Sequence, residues 1–144
     1  MTMTNNVRVI ISGGGTGGHI FPAVSIAGAI KEKLPNAEIL FVGAEGRMEM
    51  EKVPAAGYKI IGLPIQGLYR SFTLKNLKVI AKAISSIRKA KKIIKEFKPD
   101  IVIGTGGYIC GPVFAAATSK KIPTMLHESN AYPGKAVNMF AKKV

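Results

Sequence analysis

Cysteine, acid and tryptophan are scarce in this sequence. Its 144 residues hold one cysteine, 8 acidic side chains and no tryptophan. A lone thiol, Cys110, excludes an internal disulfide, denies a zinc site its usual thiolates and fits a reducing, cytoplasmic compartment. The one aspartate, Asp100, is followed by Ile101 and Val102, so no Asp-x-Asp clamp exists and no metal is expected. No apolar run reaches the roughly 18 residues that a membrane-spanning helix needs. Met1–Asn6 is polar and uncharged, unlike a signal peptide. Aromatics make up only 7% and no nucleic-acid module is present, so nucleic acid is not an expected partner.

Basic residues, in contrast, are abundant. Lys and Arg number 21, giving a formal charge of +13 and a pI near 10.0. They concentrate between Lys75 and Lys98, a patch suited to anionic lipid headgroups or phosphorylated substrates. Length and a 47% hydrophobic content fit one compact domain spanning 1–144.

Strand and helix signals alternate along the chain. Short β-branched or apolar runs at 7–11, 37–42, 58–61, 100–103 and 122–126 read as strands. Between them, 23–34 (with Pro22 in its first turn), 48–56, 74–97 and 111–119 read as helices, and 136–142 as a last helical piece. The segment 62–72 reads as a long functional or mobile loop. In 74–97, Leu77, Ile80, Ile84, Ile87, Ile94 and Phe97 form one apolar stripe, expected to cover a sheet face. Such alternation calls for a parallel sheet with right-handed crossovers, a doubly wound, Rossmann-like α/β domain.

With the usual strand order, 3-2-1-4-5, ligands lie beyond the carboxyl ends of the first and fourth strands. Both strands run into glycine-rich loops, Gly13–Gly18 and Gly104–Gly107, and His127-Glu128-Ser129-Asn130 follows the fifth strand. The first loop spells Gly-x-Gly-x-x-Gly, but the acid that binds a dinucleotide's ribose is missing where Val42-Gly43-Ala44 ends strand two. His19 stands where a P-loop would have lysine. What remains is a set of exposed N–H groups at a helix N-terminus, attractive to phosphate. His19 there is either a general base, kept neutral by the helix end, or a hydrogen-bonding partner of the loop. Tyr108 either touches substrate or caps the core. Glu128 either orients a hydroxyl or accepts a proton, or it forms a surface ion pair; Asn130 either recognises a hydroxyl or makes a turn. His127 reads as structural. The basic helix suits adsorption to an anionic membrane surface, with plain solubility as the alternative.

Four stretches, GGGTGGHIFPA at 13–23, GAEGRMEMEKVPAAG at 43–57, KPDIVIGTGGYICGP at 98–112 and LHESNAYPGKAVNMFAKKV at 126–144, are spread along nearly the whole chain. In order and spacing they resemble the N-terminal half of the MurG family of GT-B glycosyltransferases. The resemblance implies an inverting transferase that moves N-acetylglucosamine from UDP-GlcNAc to the lipid-linked muramyl-pentapeptide (lipid I to lipid II) in peptidoglycan synthesis. It implies no metal or other cofactor, and a peripheral place on the cytoplasmic face of the bacterial cell membrane. Thr16, Gly17, Gly18 and Asn130 match family positions that touch the donor. His19, Tyr108 and Glu128 match positions of acceptor binding or proton transfer, which makes His19 and Glu128 the catalytic candidates; Gly106 and Gly107 complete the substrate-binding set. The family's membrane patch falls near Leu77, Ile84 and Ile87, with Lys78 and Arg88 beside them. A C-terminal donor-binding domain is the implied partner, so this chain alone is expected to be inactive. The alternative is a membrane-docking, non-catalytic subunit of a split glycosyltransferase.

Overall fold

The computed structural model describes residues 6–66 and 74–144. Five strands, β1 (Arg8–Ser12), β2 (Glu38–Ala44), β3 (Lys59–Leu63), β4 (Ile101–Gly104) and β5 (Thr124–Leu126), alternate with α1 (Gly17–Lys33), α2 (Glu49–Ala55), α3 (Leu74–Phe97), α4 (Cys110–Ser119) and α5 (Lys135–Phe140). All strand pairs are parallel, in the order β3-β2-β1-β4-β5. The sequence expectation of a doubly wound sheet with this order holds.

Period-two alternation along buried strands sorts the core into two layers. Val9 and Ile11 of β1 pack with Ile20, Ala23 and Ala27 of α1 and Val53 of α2. Ile10 points the other way, into a larger cluster with Ala90 and Ile93 of α3, Val113 and Phe114 of α4, and Phe140 of α5. The Phe114 and Phe140 rings lie 5.7 Å apart. Each such fully buried large side chain contributes about 1.5–3 kcal/mol.

Two expectations change. Helix α1 begins at Gly17, well before Pro22, so Pro22 is inside it. Thr16 is extended (φ −144°, ψ 156°) and turns the chain directly into the helix. Pro22 is tolerated because the carbonyl it cannot pair, that of Gly18 four residues earlier, finds a partner elsewhere. The second change concerns α3. Its sheet-facing side is Val79, Ser86, Ala90, Ile93 and Ile94, whereas Leu77, Ile80 and Ile84 are 63%, 50% and 49% exposed. The single stripe expected from the sequence is two: small and branched residues meet the sheet, and a separate apolar line faces outward at the helix's N-terminal half. Of the expected 62–72 loop, β3 claims the start through Leu63, and 67–73 lie outside the described residues.

Candidate functional site: a crevice where three strands end

The parallel arrangement brings the carboxyl ends of β1, β4 and β5 to one side of the sheet. The first loop, 13–16, carries its donors in two directions. Gly14 N–H donates to the Gly106 carbonyl at 3.3 Å, and Gly15 N–H donates to the Glu49 carboxylate at 3.1 Å. His19 and Ile20 N–H groups turn back onto the Thr16 carbonyl at 3.1 and 3.2 Å. Among the described residues, the N–H groups of Thr16, Gly17 and Gly18 meet no protein acceptor outside a regular element, as expected for the first turn of a helix.

His19 is the pivot between the loops. Its Nδ1 lies 3.0 Å from the Gly14 carbonyl oxygen and 3.3 Å from Thr16 Oγ1. A carbonyl only accepts, so in the neutral ring Nδ1 carries the proton and Nε2 keeps its lone pair. The ring packs on the second glycine loop, where Gly106 and Gly107 take positive φ of 113° and 90°. A methyl on Gly106 would sit 2.8 Å from His19 Nε2, and one on Gly107 would sit 2.5 Å from the Gly14 carbonyl oxygen. Buried Thr105 completes the joint by donating its hydroxyl to the His19 carbonyl at 2.6 Å.

The β5 loop closes the third side. Ser129 Oγ donates to the Gly18 carbonyl at 3.3 Å, the group that Pro22 leaves without a helical partner. His127 contributes its backbone, N–H to the Gly104 carbonyl at 2.8 Å, and its side chain is exposed. One Glu128 oxygen accepts Asn130 N–H at 2.9 Å and Asn130 Nδ2 at 2.7 Å, and the other accepts Gly134 N–H at 3.2 Å. The Asn130 N–H, then the Gly134 N–H, hold the Glu128 carboxyl below the usual glutamate range, with a smaller contribution from nearby His19.

Tyr108 is half-buried beside the larger core. Its hydroxyl oxygen is buried with no hydrogen-bond partner among the described residues, and the Arg47 guanidinium lies 5.9 Å from its ring centre. The structure thus gathers Thr16, Gly17, Gly18, His19, Gly106, Gly107, Tyr108, Glu128 and Asn130 in three adjoining loops on one side of the sheet. Sequence reasoning missed Glu49, Thr105 and Ser129, whose roles depend on contacts between distant segments. Among the described residues no three His, Cys, Asp or Glu side chains converge as a metal site.

The membrane-patch residues lie apart, on α3. Leu77, Ile84, Arg88, Lys91 and Lys95 fall within about 60° of arc at ~100° per residue, so one outward face is apolar at its start and cationic toward its end. Lys78 is exposed and Ile87 half-buried. Lys89 folds back to the Gly62 carbonyl at 2.7 Å and to Glu45. No described helix is long and apolar enough to cross a membrane.

Residues 9–144 match the model of the glycosyltransferase family 28 N-terminal domain. The chain is 57% identical, over 94% of its length, to a Parabacteroides distasonis protein and 59% identical, over 97%, to one from Christiangramia forsetii. Both are named UDP-N-acetylglucosamine--N-acetylmuramyl-(pentapeptide) pyrophosphoryl-undecaprenol N-acetylglucosamine transferase. The chain spans 37% and 38% of those relatives' lengths. Among solved structures, Acinetobacter baumannii MurG superposes with a TM-score of 0.83 at 28% identity, over 96% of this chain and 39% of that one. The calicheamicin glycosyltransferase CalG4, at 0.64 and 12% identity over 96% of this chain and 36% of that one, shares the fold.

Proposed function

The chain belongs to the glycosyltransferase family 28 N-terminal domain family, and from that membership we propose that it forms the acceptor-side half of an inverting transferase. The complete enzyme moves N-acetylglucosamine from UDP-GlcNAc to a lipid-linked muramyl-pentapeptide, the activity named for its relatives. A donor-binding domain beyond this one supplies most of the nucleotide pocket and closes over the crevice.

His19 is the observation that supports this reading best. A ring fixed through Nδ1 to the Gly14 carbonyl presents Nε2 as a base, between a helix N-terminus and a second glycine loop. Nε2 takes the proton of the acceptor sugar's hydroxyl as its oxygen attacks the anomeric carbon. The bond from that carbon to the β-phosphate oxygen breaks, UDP leaves, and the anomeric configuration inverts. N–H groups of Thr16, Gly17 and Gly18 and the positive end of α1 attract diphosphate charge. Glu128, held as a carboxylate, is a weak proton acceptor; it orders Asn130 for hydroxyl recognition. Tyr108, its half-buried ring beside the Arg47 guanidinium, borders the acceptor path.

Membrane contact is assigned to the outward face of α3. Leu77, Ile80 and Ile84 enter the headgroup boundary while Lys78 and Arg88 meet anionic lipid, each cation near the surface worth about 1 kcal/mol. This places the enzyme peripherally on the membrane that carries its acceptor. The test is transfer of labelled GlcNAc by the two-domain protein carrying His19→Ala. A fall in kcat of about 10²–10⁴ is expected for loss of a general base; turnover within a few-fold of the parent removes His19 from that role.

A further inference from the structure

Glu49 has no part in the chemistry above, yet it is a completely buried acid in a chain with few acids. Among the described residues no cation lies within ion-pair distance of it. An uncompensated buried carboxylate is costly unless its lone pairs are used. Here both oxygens are: one accepts Ala44 N–H at 2.9 Å and the other Gly15 N–H at 3.1 Å. The side chain therefore ties the end of β2 to the left-handed residue of the first loop, Gly15 at φ 83°. Its surroundings are cut to admit it. A methyl on Gly14 would run into the carboxylate, and one on Gly43 would come 2.6 Å from Glu49 Cγ.

We infer that Glu49 is the positioning residue of the first glycine loop: by holding Gly15 N–H from inside, it aims the N–H groups of Thr16, Gly17 and Gly18 outward at a phosphate or diphosphate. This rests on the phosphate-binding role proposed for that loop. It also gives a physical reason why a loop spelling the dinucleotide pattern serves another ligand. In a dinucleotide fold the region past β2 presents an acid to a ribose; here an acid reaches the same region and turns inward to the backbone.

The test uses the ¹⁵N-labelled chain, inorganic pyrophosphate as probe, and Glu49→Gln. Glutamine keeps the shape but sets an NH₂ donor against one of the two N–H groups, so one bond is lost. In the parent, Gly15 and Ala44 amide protons are expected downfield and slow to exchange, and pyrophosphate is expected to shift the Thr16, Gly17 and Gly18 amides. In Glu49→Gln, the Gly15 or Ala44 signature disappears and pyrophosphate affinity falls about tenfold, the scale of one lost charge-assisted hydrogen bond, while β1 and β4 amides stay in place. If that variant does not fold, Gly43→Ala displaces Glu49 without removing its charge and is expected to weaken pyrophosphate binding in the same sense. Equal affinity in a folded variant, with Gly15 unmoved, overturns the inference. A parent chain whose loop amides ignore pyrophosphate defeats the phosphate reading itself, and the positioning role falls with it.

Discussion

Replacing Gly106 with alanine tests whether the two glycine loops are joined through His19. The position has φ 113°, where a side chain costs about 1–3 kcal/mol in backbone strain. The new methyl would also lie 2.7 Å from His19 Cδ2 and 2.8 Å from Nε2. Forcing the ring aside costs about 1–3 kcal/mol if its surroundings resist, and less if it swings away and gives up its bond to the Gly14 carbonyl. The sum is about 1–6 kcal/mol, and at about 3 °C per kcal/mol for a domain of this size the melting temperature falls by about 3–18 °C. Gly111→Ala is the control, since nothing lies within 4 Å of its methyl and alanine favours the helix there; it should be neutral or stabilising by up to about 1 kcal/mol. Denaturant titration gives the stabilities, and ¹⁵N shifts of the His19 ring report the tautomer. In the parent, Nδ1 should be protonated and Nε2 bare; in Gly106→Ala that pattern should blur. A variant as stable as the parent, with an unchanged ring, would refute the joint.

Vesicle co-sedimentation should rise with anionic lipid and fall with added salt, because the attraction is screened over about 8–10 Å at physiological ionic strength. Leu77→Glu or Ile84→Glu should weaken it further, and binding blind to lipid charge would sink the electrostatic account. Cys110 is buried, and burial pushes its thiol up to about 11, so a thiol reagent near pH 8 should leave the native chain unmodified and label the unfolded one. Because the folded state resists ionising this thiol, its stability is intact below about pH 9 and falls by about 2–3 kcal/mol as pH rises toward 11, measurable by denaturant melts. The depressed Glu128 carboxyl works the other way. Order in the 128–134 turn should persist through the ordinary glutamate range and be lost only as pH falls below it, read from the Asn130 amide.

The fold was legible because strand and helix periods differ and the buried strands are short and β-branched. The glycine clusters after the first and fourth strands, with a topological switch between them, located the crevice before any contact was known. What stayed hidden was decided by tertiary contact. Pro22 looks like a helix start, but its consequence appears only when Ser129, 111 residues away, satisfies the Gly18 carbonyl. Glu49 reads as one acid in an exposed short helix until Gly14 and Gly43 are seen to make room for it. Leu77 and Ile94 share an apolar stripe in sequence, yet one is outward and the other buried, because Ile94 lies about 100° around the helix from Leu77, on the side of Ser86 and Ala90.

The most direct test of the central claim is reconstitution. The purified chain is mixed with a separately produced C-terminal part of a two-domain relative, anionic vesicles carrying the lipid-linked acceptor, and labelled UDP-GlcNAc. Label should reach the acceptor only when both parts are present, and His19→Ala in this chain should slow it about 10²–10⁴-fold. Two folded parts that bind each other and still transfer nothing would contradict the assignment of this domain as the acceptor half.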